Sequence, residues 1–130
     1  DGVHIGQDDM SVEEARKLLG EDKIIGVSAH NVKEALKAQK GGADYLGVGA
    51  VCATSTKKDA NVVSKEEIKK IKEAVDIPIV AIGGIKKDNI DALTGTGIDG
   101  VAVVSAIFGA KDITKDTKEL LKTVKKMKQE

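Results

Sequence analysis

The sequence predicts an α/β domain in which parallel strands alternate with helices. Five short apolar segments recur along the 130 residues, and a stretch with helical periodicity follows each of them. Aromatic residues are nearly absent, so the core must be built from Val, Ile, Leu and Ala, as is usual for parallel strands buried on both faces. The apolar segments cover residues 3–5, 24–28, 45–48, 77–82 and 101–104.

Capping motifs and glycines predict where the helices begin and end. Ser11 with Glu14 forms a capping box that opens a helix over residues 11–19, and Gly20 ends it. The second helix has apolar residues at helical spacing and stops at two glycines, and the third begins with another capping box. A short capped helix and a long lysine-rich amphipathic helix are expected next. The remaining boundary residues are Gly41, Gly42, Ser64, Glu67, Asp88 or Asn89, and Asp112.

A parallel sheet of this kind is either doubly wound or closed into a barrel. Two features favour a (β/α)₈ TIM barrel. Glycines cluster at the predicted carboxyl ends of the strands, and the Gly83-Gly84 and Ser105 turns resemble the phosphate site that barrels form after strands seven and eight. A complete barrel needs about 200 residues or more. We therefore expect one domain over residues 1–130, with about five βα units of an incomplete barrel whose amino-terminal strands are absent.

Charge and cysteine content exclude several classes of function. The 21 basic and 21 acidic residues give zero net charge, so no global field attracts nucleic acid or an anionic membrane surface. No apolar run approaches the roughly 20 residues of a membrane span. Cys52 has no cysteine partner for a disulfide, which favours a reducing cytoplasmic setting. Any anionic ligand must therefore be held locally.

Two turns at adjacent strand ends are candidates for a phosphate site. Gly83 and Gly84 let backbone N–H groups approach an oxygen anion without a Cβ in the way. Val104-Ser105 follows the next strand and adds a hydroxyl at the start of a short helix. The alternative is that these small residues only permit tight packing between strand and helix.

The long polar connection over residues 50–63 is a second candidate. Thr54, Ser55 and Thr56 offer three hydroxyls, and Lys57 offers a cation that can neutralise a departing anion. A loop of this length in a compact domain is often functional. A solvated polar loop remains an equal alternative on this segment alone.

Carboxylate and hydroxyl groups after the first two strands are weaker candidates. Asp9 lies where it can hold Mg²⁺, although the residues alone favour an ordinary acidic helix start. Ser28 is either a phosphate donor or a turn residue. His4 and His30 are expected to have structural roles, since neither has a second metal ligand at suitable spacing.

Taken together, these motifs resemble the thiamine phosphate synthase family in order and spacing across nearly the whole chain. The glycine pair and the Val-Ser turn occur in many phosphate-binding barrels, but their combination with the other segments is specific. The segments that carry the resemblance are DGVHIGQDD (1–9), IGVSAH (25–30), GADYLGVG (42–49), TSTK (54–57), IPIVAIGGI (77–85) and DGVAVVSAI (99–107).

The resemblance implies a transferase that joins a hydroxymethylpyrimidine diphosphate to a thiazole phosphate, giving thiamine phosphate and pyrophosphate. It implies that Asp9 is a Mg²⁺ ligand and that Ser28 and Lys57 hold the pyrimidine diphosphate. The thiazole phosphate is then expected to bind Thr54, Ser55, Thr56, Gly84, Val104 and Ser105.

The chain departs from the family in two places. The family's Gln-x-Arg-x-Lys strand and Asn-Asp pair have no counterpart here, so we expect this chain to carry the thiazole-phosphate half of the site. Val51-Cys52-Ala53 replaces the usual aromatic residue and proline. A thiazole tautomerase-like protein and an inactive half-barrel, which associates with the missing half or with itself, remain alternatives.

Overall fold

A computed structural model describes residues 1–49 and 63–128. Five parallel strands form one sheet in the order β1-β2-β3-β4-β5. The strands are β1 Gly2–Ile5, β2 Ile24–Ala29, β3 Tyr45–Gly49, β4 Ile79–Ile82 and β5 Gly100–Ala102. The helices are α1 Val12–Leu19, α2 Val32–Gly41, α3 Lys65–Ala74, the 3₁₀ helix Ile90–Leu93, α4 Ser105–Phe108 and α5 Ile113–Lys128.

The strand order distinguishes a barrel from a doubly wound sheet. Crossovers between parallel strands are right-handed, so a sheet whose order never reverses carries its crossover helices on one face. A doubly wound sheet instead reverses its order at a switch point. The described strands follow the chain without reversal. The prediction of consecutive βα units of a TIM barrel is therefore confirmed.

The core lies between the sheet and this single layer of helices. Alternate strand residues are fully buried on the helix side, and the inner faces of α1, α2, α3 and α5 cover them. The largest fully buried side chains are those of Ile25, Leu46, Ile68, Ile71, Ile79, Ile90, Leu93 and Val48. Among the described residues, no helix is both long and apolar enough to span a membrane.

The predicted helix caps are largely confirmed. The hydroxyl oxygens of Ser11 and Ser64 accept hydrogen bonds from the backbone N–H groups three residues later, at 3.1 Å in each case. Gly42 ends α2 with φ at 104°, a conformation that favours glycine. On the last helix Leu120 and Met127 are buried, whereas the side chain of Leu121 is half exposed.

Three boundaries in the second half differ from the predictions. β4 starts two residues later than expected, because Pro78 has no N–H to donate to the ladder. β5 ends at Ala102, since Val103 and Val104 already belong to the turn into α4. The helix after β4 is a 3₁₀ helix, and Asn89 does not cap it, because its side chain binds Gly84 and Lys86 instead.

The segments that begin at Gly42 and Gly97 resemble each other in sequence, and in each an aspartate makes the same kind of contact at the amino end of a strand. Asp44 precedes β3, and its Oδ2 accepts hydrogen bonds from the Ile25 N–H at 2.8 Å and from Arg16 at 2.9 Å. The Ile25 N–H and the Arg16 guanidinium lower the pKa of Asp44. The contact with the Ile25 N–H joins the start of β3 to the start of β2 and so fixes their register, while Arg16 links the same carboxylate to α1.

Asp99 makes the corresponding contacts before β5. Its Oδ2 accepts from the Ile79 N–H and from Lys72 Nζ, both at 2.9 Å. Burial raises the pKa of Asp99, but the Ile79 N–H and the Lys72 ammonium lower it by more, so the pKa lies below its ordinary value. These residues lie at the end of the sheet opposite the predicted phosphate site, where barrels place residues that serve stability.

Replacing both aspartates (Asp44→Asn with Asp99→Asn) is expected to lower the free energy of unfolding at pH 7 by about 1 kcal/mol. The effect is small because the side chains are 46% and 42% exposed. A lowered folded-state pKa contributes stability above the unfolded value of 3.8 and loses it as the pH falls through the folded value. Urea titrations from pH 7 to about pH 2 should therefore show the difference shrinking. The control is Asp22→Asn, and a difference independent of pH would contradict the assignment.

Candidate functional site

The structure brings the described candidates to one edge of the sheet. Asp9 follows β1 by four residues, Ser28 is the penultimate residue of β2, and Gly84 and Ser105 follow β4 and β5. All five strands are parallel, so their carboxyl ends lie at the same edge. In barrels this edge carries the active site.

Asp9 closes a tight loop after β1. Its Oδ2 accepts a hydrogen bond from the Gly6 N–H at 2.8 Å, and its own N–H donates to the Gly6 carbonyl at 3.2 Å. One carboxylate oxygen is therefore used within the loop, which fixes the side chain. Asp9 also lines a cavity of about 160 Å³ together with residues of its own loop, of α1 and of α2.

Ser28 lies on the sheet face opposite the helices and is held by two neighbours. Its hydroxyl oxygen is 2.8 Å from His4 Nε2, and its carbonyl accepts a hydrogen bond from Gln7 Nε2 at 2.6 Å. Gln7 belongs to the loop that carries Asp9. The Ser28 backbone is thus hydrogen-bonded directly to the loop that carries Asp9, the candidate Mg²⁺ ligand.

The Gly83-Gly84 turn has a backbone conformation that favours glycine. Both glycines have positive φ, at 95° and 68°. Asn89 reaches back to this turn and donates from Nδ2 to the Gly84 carbonyl at 2.7 Å, while its Oδ1 accepts from the Lys86 N–H at 2.8 Å. The turn is therefore fixed by a side chain that sequence reasoning assigned to a helix cap.

Val104-Ser105 opens α4 at the end of the neighbouring strand. Ser105 is exposed and lines a cavity of about 400 Å³ together with Lys86 and Lys87. Gly84 is not among the residues that line this cavity. Lys87 forms ion pairs with Glu119 and Asp116, and these hydrogen bonds raise its pKa.

The remaining predicted site residues lie outside the described part of the chain. They are Thr54, Ser55, Thr56 and Lys57. Their expected roles on the phosphate groups stay predictions.

The described residues fit a Mg²⁺ site in one respect. Mg²⁺ is commonly bound through one or two carboxylates, with water and substrate phosphates completing its shell. Asp9 supplies one carboxylate with Oδ1 outside the Gly6 contact. Within residues 1–49 and 63–128, no group of three or more His, Cys, Asp or Glu side chains is placed to hold a metal ion. The described residues therefore supply one carboxylate for Mg²⁺, and the ion itself stays a prediction.

Sequence reasoning missed His4 and Gln7 near this edge, Tyr45 at the amino end of β3, and one pair beside the edge. His4, Tyr45 and Gln7 contact Ser28 or each other, and only the structure shows these contacts. The available signal was the polar His4 between Val3 and Ile5 in an apolar segment, since strand alternation places its side chain on the sheet face opposite theirs. His30 was predicted to lack a carboxylate partner, but its Nδ1 lies 2.9 Å from Glu34 one helical turn later.

Comparisons with known proteins agree with the resemblance. Residues 1–107 match the family model described as thiamine monophosphate synthase. The chain is 56% identical over 120 residues to a thiamine-phosphate synthase of Clostridium tetani, and 57% identical over 125 residues to one of Methanobrevibacter smithii. It also matches the solved structure of thiamine phosphate pyrophosphorylase from Pyrococcus furiosus, with a TM-score of 0.88 and 49% identity.

These alignments cover most of this chain and a smaller share of each relative. They include 92%, 96% and 98% of this chain, but 57%, 60% and 60% of the three relatives. The chain therefore spans less than two thirds of the length of the proteins it matches.

Proposed function

The chain belongs to the thiamine monophosphate synthase family, and on this basis we propose that it takes part in joining a pyrimidine diphosphate to a thiazole phosphate. The products are thiamine phosphate and pyrophosphate. The observation that carries the proposal is the family match over residues 1–107. A cytoplasmic location and small-molecule substrates, without nucleic acid, complete the proposal.

The reaction is a substitution at the methylene carbon of the pyrimidine. The bond from this carbon to a diphosphate oxygen breaks, the electron pair leaves with pyrophosphate, and the thiazole nitrogen forms the new bond to carbon. Negative charge therefore develops on the leaving oxygen. Hydrogen-bond donors and cations at that oxygen lower the barrier most directly.

We assign the diphosphate to the edge formed by β1 and β2. Asp9 would hold Mg²⁺, which when bound neutralises charge on the diphosphate oxygens. Ser28 would donate a hydrogen bond to the same group, and Lys57 would add a positive charge. The tie from Gln7 to the Ser28 carbonyl supports this assignment, because it joins the loop of Asp9 to the serine.

We assign the thiazole phosphate to the edge formed by β4 and β5. The N–H groups of the Gly83-Gly84 turn and of Val104-Ser105 would contact its oxygens, together with Thr54, Ser55 and Thr56. The positive φ of both glycines supports this role, since it turns the backbone without placing a Cβ at the strand end. These 130 residues would thus supply the thiazole-phosphate half of the site.

The proposal is tested by incubating the protein with both substrates and Mg²⁺ and measuring thiamine phosphate and pyrophosphate by chromatography. Equal amounts of the two products, formed only with both substrates, are expected. If the rate is too low to measure, saturable binding of the thiazole phosphate is expected in calorimetry. Conversion of the thiazole phosphate alone, without pyrophosphate, would instead identify a tautomerase. The absence of both turnover and binding would contradict the proposal.

The open edges of the sheet favour a second proposal, association through strand pairing. Among the described strands, β1 and β5 each have one unpaired edge, and such edges readily pair with other chains. Val3 and Leu18 beside β1 are 40% and 73% exposed. We propose that the chain associates with the remaining part of the barrel or with a second copy. Sedimentation of the chain, alone and mixed with a peptide of the remaining barrel strands, is expected to give a mass above 13.6 kDa in at least one case, and a monomer in both would contradict association.

A further inference from the structure

Three side chains from three adjacent strands form a hydrogen-bonded chain on the sheet face opposite the helices. His4 of β1 lies between the other two, with Nδ1 at 3.0 Å from the Tyr45 hydroxyl and Nε2 at 2.8 Å from the Ser28 hydroxyl. Their strand neighbours Ile5 and Leu46 are buried on the helix side, so alternation places the chain on the other face. This is the face on which Ser28 would meet a ligand.

Two glycines make room for this arrangement. A Cβ added to Gly26 would overlap the ring of Tyr45, and one added to Gly47 would lie 2.8 Å from His4 Cε1. The two rings are 5.7 Å apart at their centroids. The Tyr45 ring therefore lies against the backbone of β2 and the His4 ring against the backbone of β3, and these contacts restrict the orientation of both rings and of the imidazole nitrogens.

The neutral imidazole can occupy this position in two tautomers with opposite consequences for Ser28. If the Tyr45 hydroxyl donates to Nδ1, then Nε2–H donates to the Ser28 oxygen and leaves the serine hydrogen available. If Nδ1 carries the hydrogen, Nε2 accepts the serine hydrogen and only lone pairs face a ligand. An anionic oxygen is attracted in the first case and repelled in the second.

We infer that His4 is a positioning residue which, held by Tyr45 in the Nε2–H tautomer, directs the Ser28 hydroxyl hydrogen toward a diphosphate oxygen. The inference rests on the proposed function for its ligand. Gln7, which donates to the Ser28 carbonyl, fixes the backbone of the same serine. In this tautomer Nε2–H of His4 donates to the Ser28 hydroxyl oxygen and Gln7 donates to the Ser28 carbonyl. The hydroxyl hydrogen of Ser28 therefore stays available to donate to a ligand.

The tautomer is measured first, because it needs no ligand. ¹⁵N NMR of histidine-labelled protein separates the two nitrogens of each ring, and the spectrum of His4→Gln assigns the remaining signals to His30. We expect His4 to carry its hydrogen on Nε2 and the Tyr45→Phe variant to give a mixture of tautomers. A hydrogen held on Nδ1 in the wild type would overturn the inference.

The second measurement is calorimetric binding of inorganic pyrophosphate with Mg²⁺. Ser28→Ala and His4→Leu are each expected to weaken binding about tenfold, which corresponds to one hydrogen bond to a charged group. The double variant, Ser28→Ala with His4→Leu, should bind pyrophosphate as tightly as Ser28→Ala does, because His4 acts through the serine. His4→Gln places an amide N–H near the position of Nε2 and should restore most of the affinity.

The outcomes separate the inference from the proposed function. Additive losses in the double variant, or no recovery with His4→Gln in a folded protein, would overturn the positioning role. If the wild-type protein binds no pyrophosphate, the proposed diphosphate site is contradicted. The positioning role of His4 is then tested only by the ¹⁵N NMR measurement of its tautomer. Thermal unfolding of every variant identifies losses caused by misfolding.

Discussion

Asp9→Asn is expected to weaken Mg²⁺-dependent binding of pyrophosphate about a hundredfold, as changes at metal sites commonly do. The asparagine keeps an oxygen that can accept the Gly6 N–H, which the aspartate accepts at 2.8 Å. The loop should therefore retain its shape while losing the negative charge that attracts the metal. The loss is expected to be smaller when Mg²⁺ is absent, since the variant removes a metal ligand.

The neighbouring Asp8 provides a matched control for this variant. It is exposed in the same loop, and neither the site geometry nor the family resemblance gives it a role. Asp8→Asn should change the affinity less than about twofold, while having the same effect on net charge. Titration calorimetry at several Mg²⁺ concentrations makes the comparison. Equal losses in the two variants would show that loop charge, and not a ligand at Asp9, is responsible.

Gly84→Ala is expected to weaken binding of the thiazole phosphate about thirtyfold, or about 2 kcal/mol, if one charge-assisted hydrogen bond is lost. Gly84 has φ at 68°, where a side chain is disfavoured by about 1–2 kcal/mol. The alanine would both strain the turn and place a methyl group where the backbone N–H groups approach the phosphate.

Gly95→Ala separates strain from the loss of binding. Gly95 has φ at 83°, and an added Cβ would meet nothing within 4 Å. It lies in the connection that leads into the amino end of β5, away from the carboxyl edge. Both variants should lower the free energy of unfolding by similar amounts, but only Gly84→Ala should weaken binding of the thiazole phosphate. If calorimetry gives the two variants equal affinities for the thiazole phosphate, the Gly83-Gly84 turn does not take part in binding it.

The first half of the fold could be predicted from sequence because local signals determine it. Ser11 and Gly42 are helix-end residues whose capping depends only on neighbours within one or two turns. The second half was less predictable. The Asn89 side chain donates a hydrogen bond to the Gly84 carbonyl and does not cap the helix that follows. Which of the two it does depends on the backbone conformation at the end of β4.

The site was predictable where it depends on strand ends and not where it depends on contacts across strands. Asp9, Gly84 and Ser105 were expected at one edge because each follows an apolar segment. The contact between His4 and Tyr45 joins residues 41 positions apart and depends on strand register. Glycines on the neighbouring strands are a sequence signal for such rings, but it becomes specific only when the register is known.

Phosphate binding at the carboxyl edge of the sheet is tested by an NMR titration of the ¹⁵N-labelled protein with the thiazole phosphate. We expect saturable shifts of the Gly83, Gly84 and Ser105 amides at the carboxyl ends of β4 and β5. The Gly20 and Gly95 amides should not shift. Saturable shifts at the amino ends of the strands, or none at any position, would contradict the claim that this edge binds the phosphate.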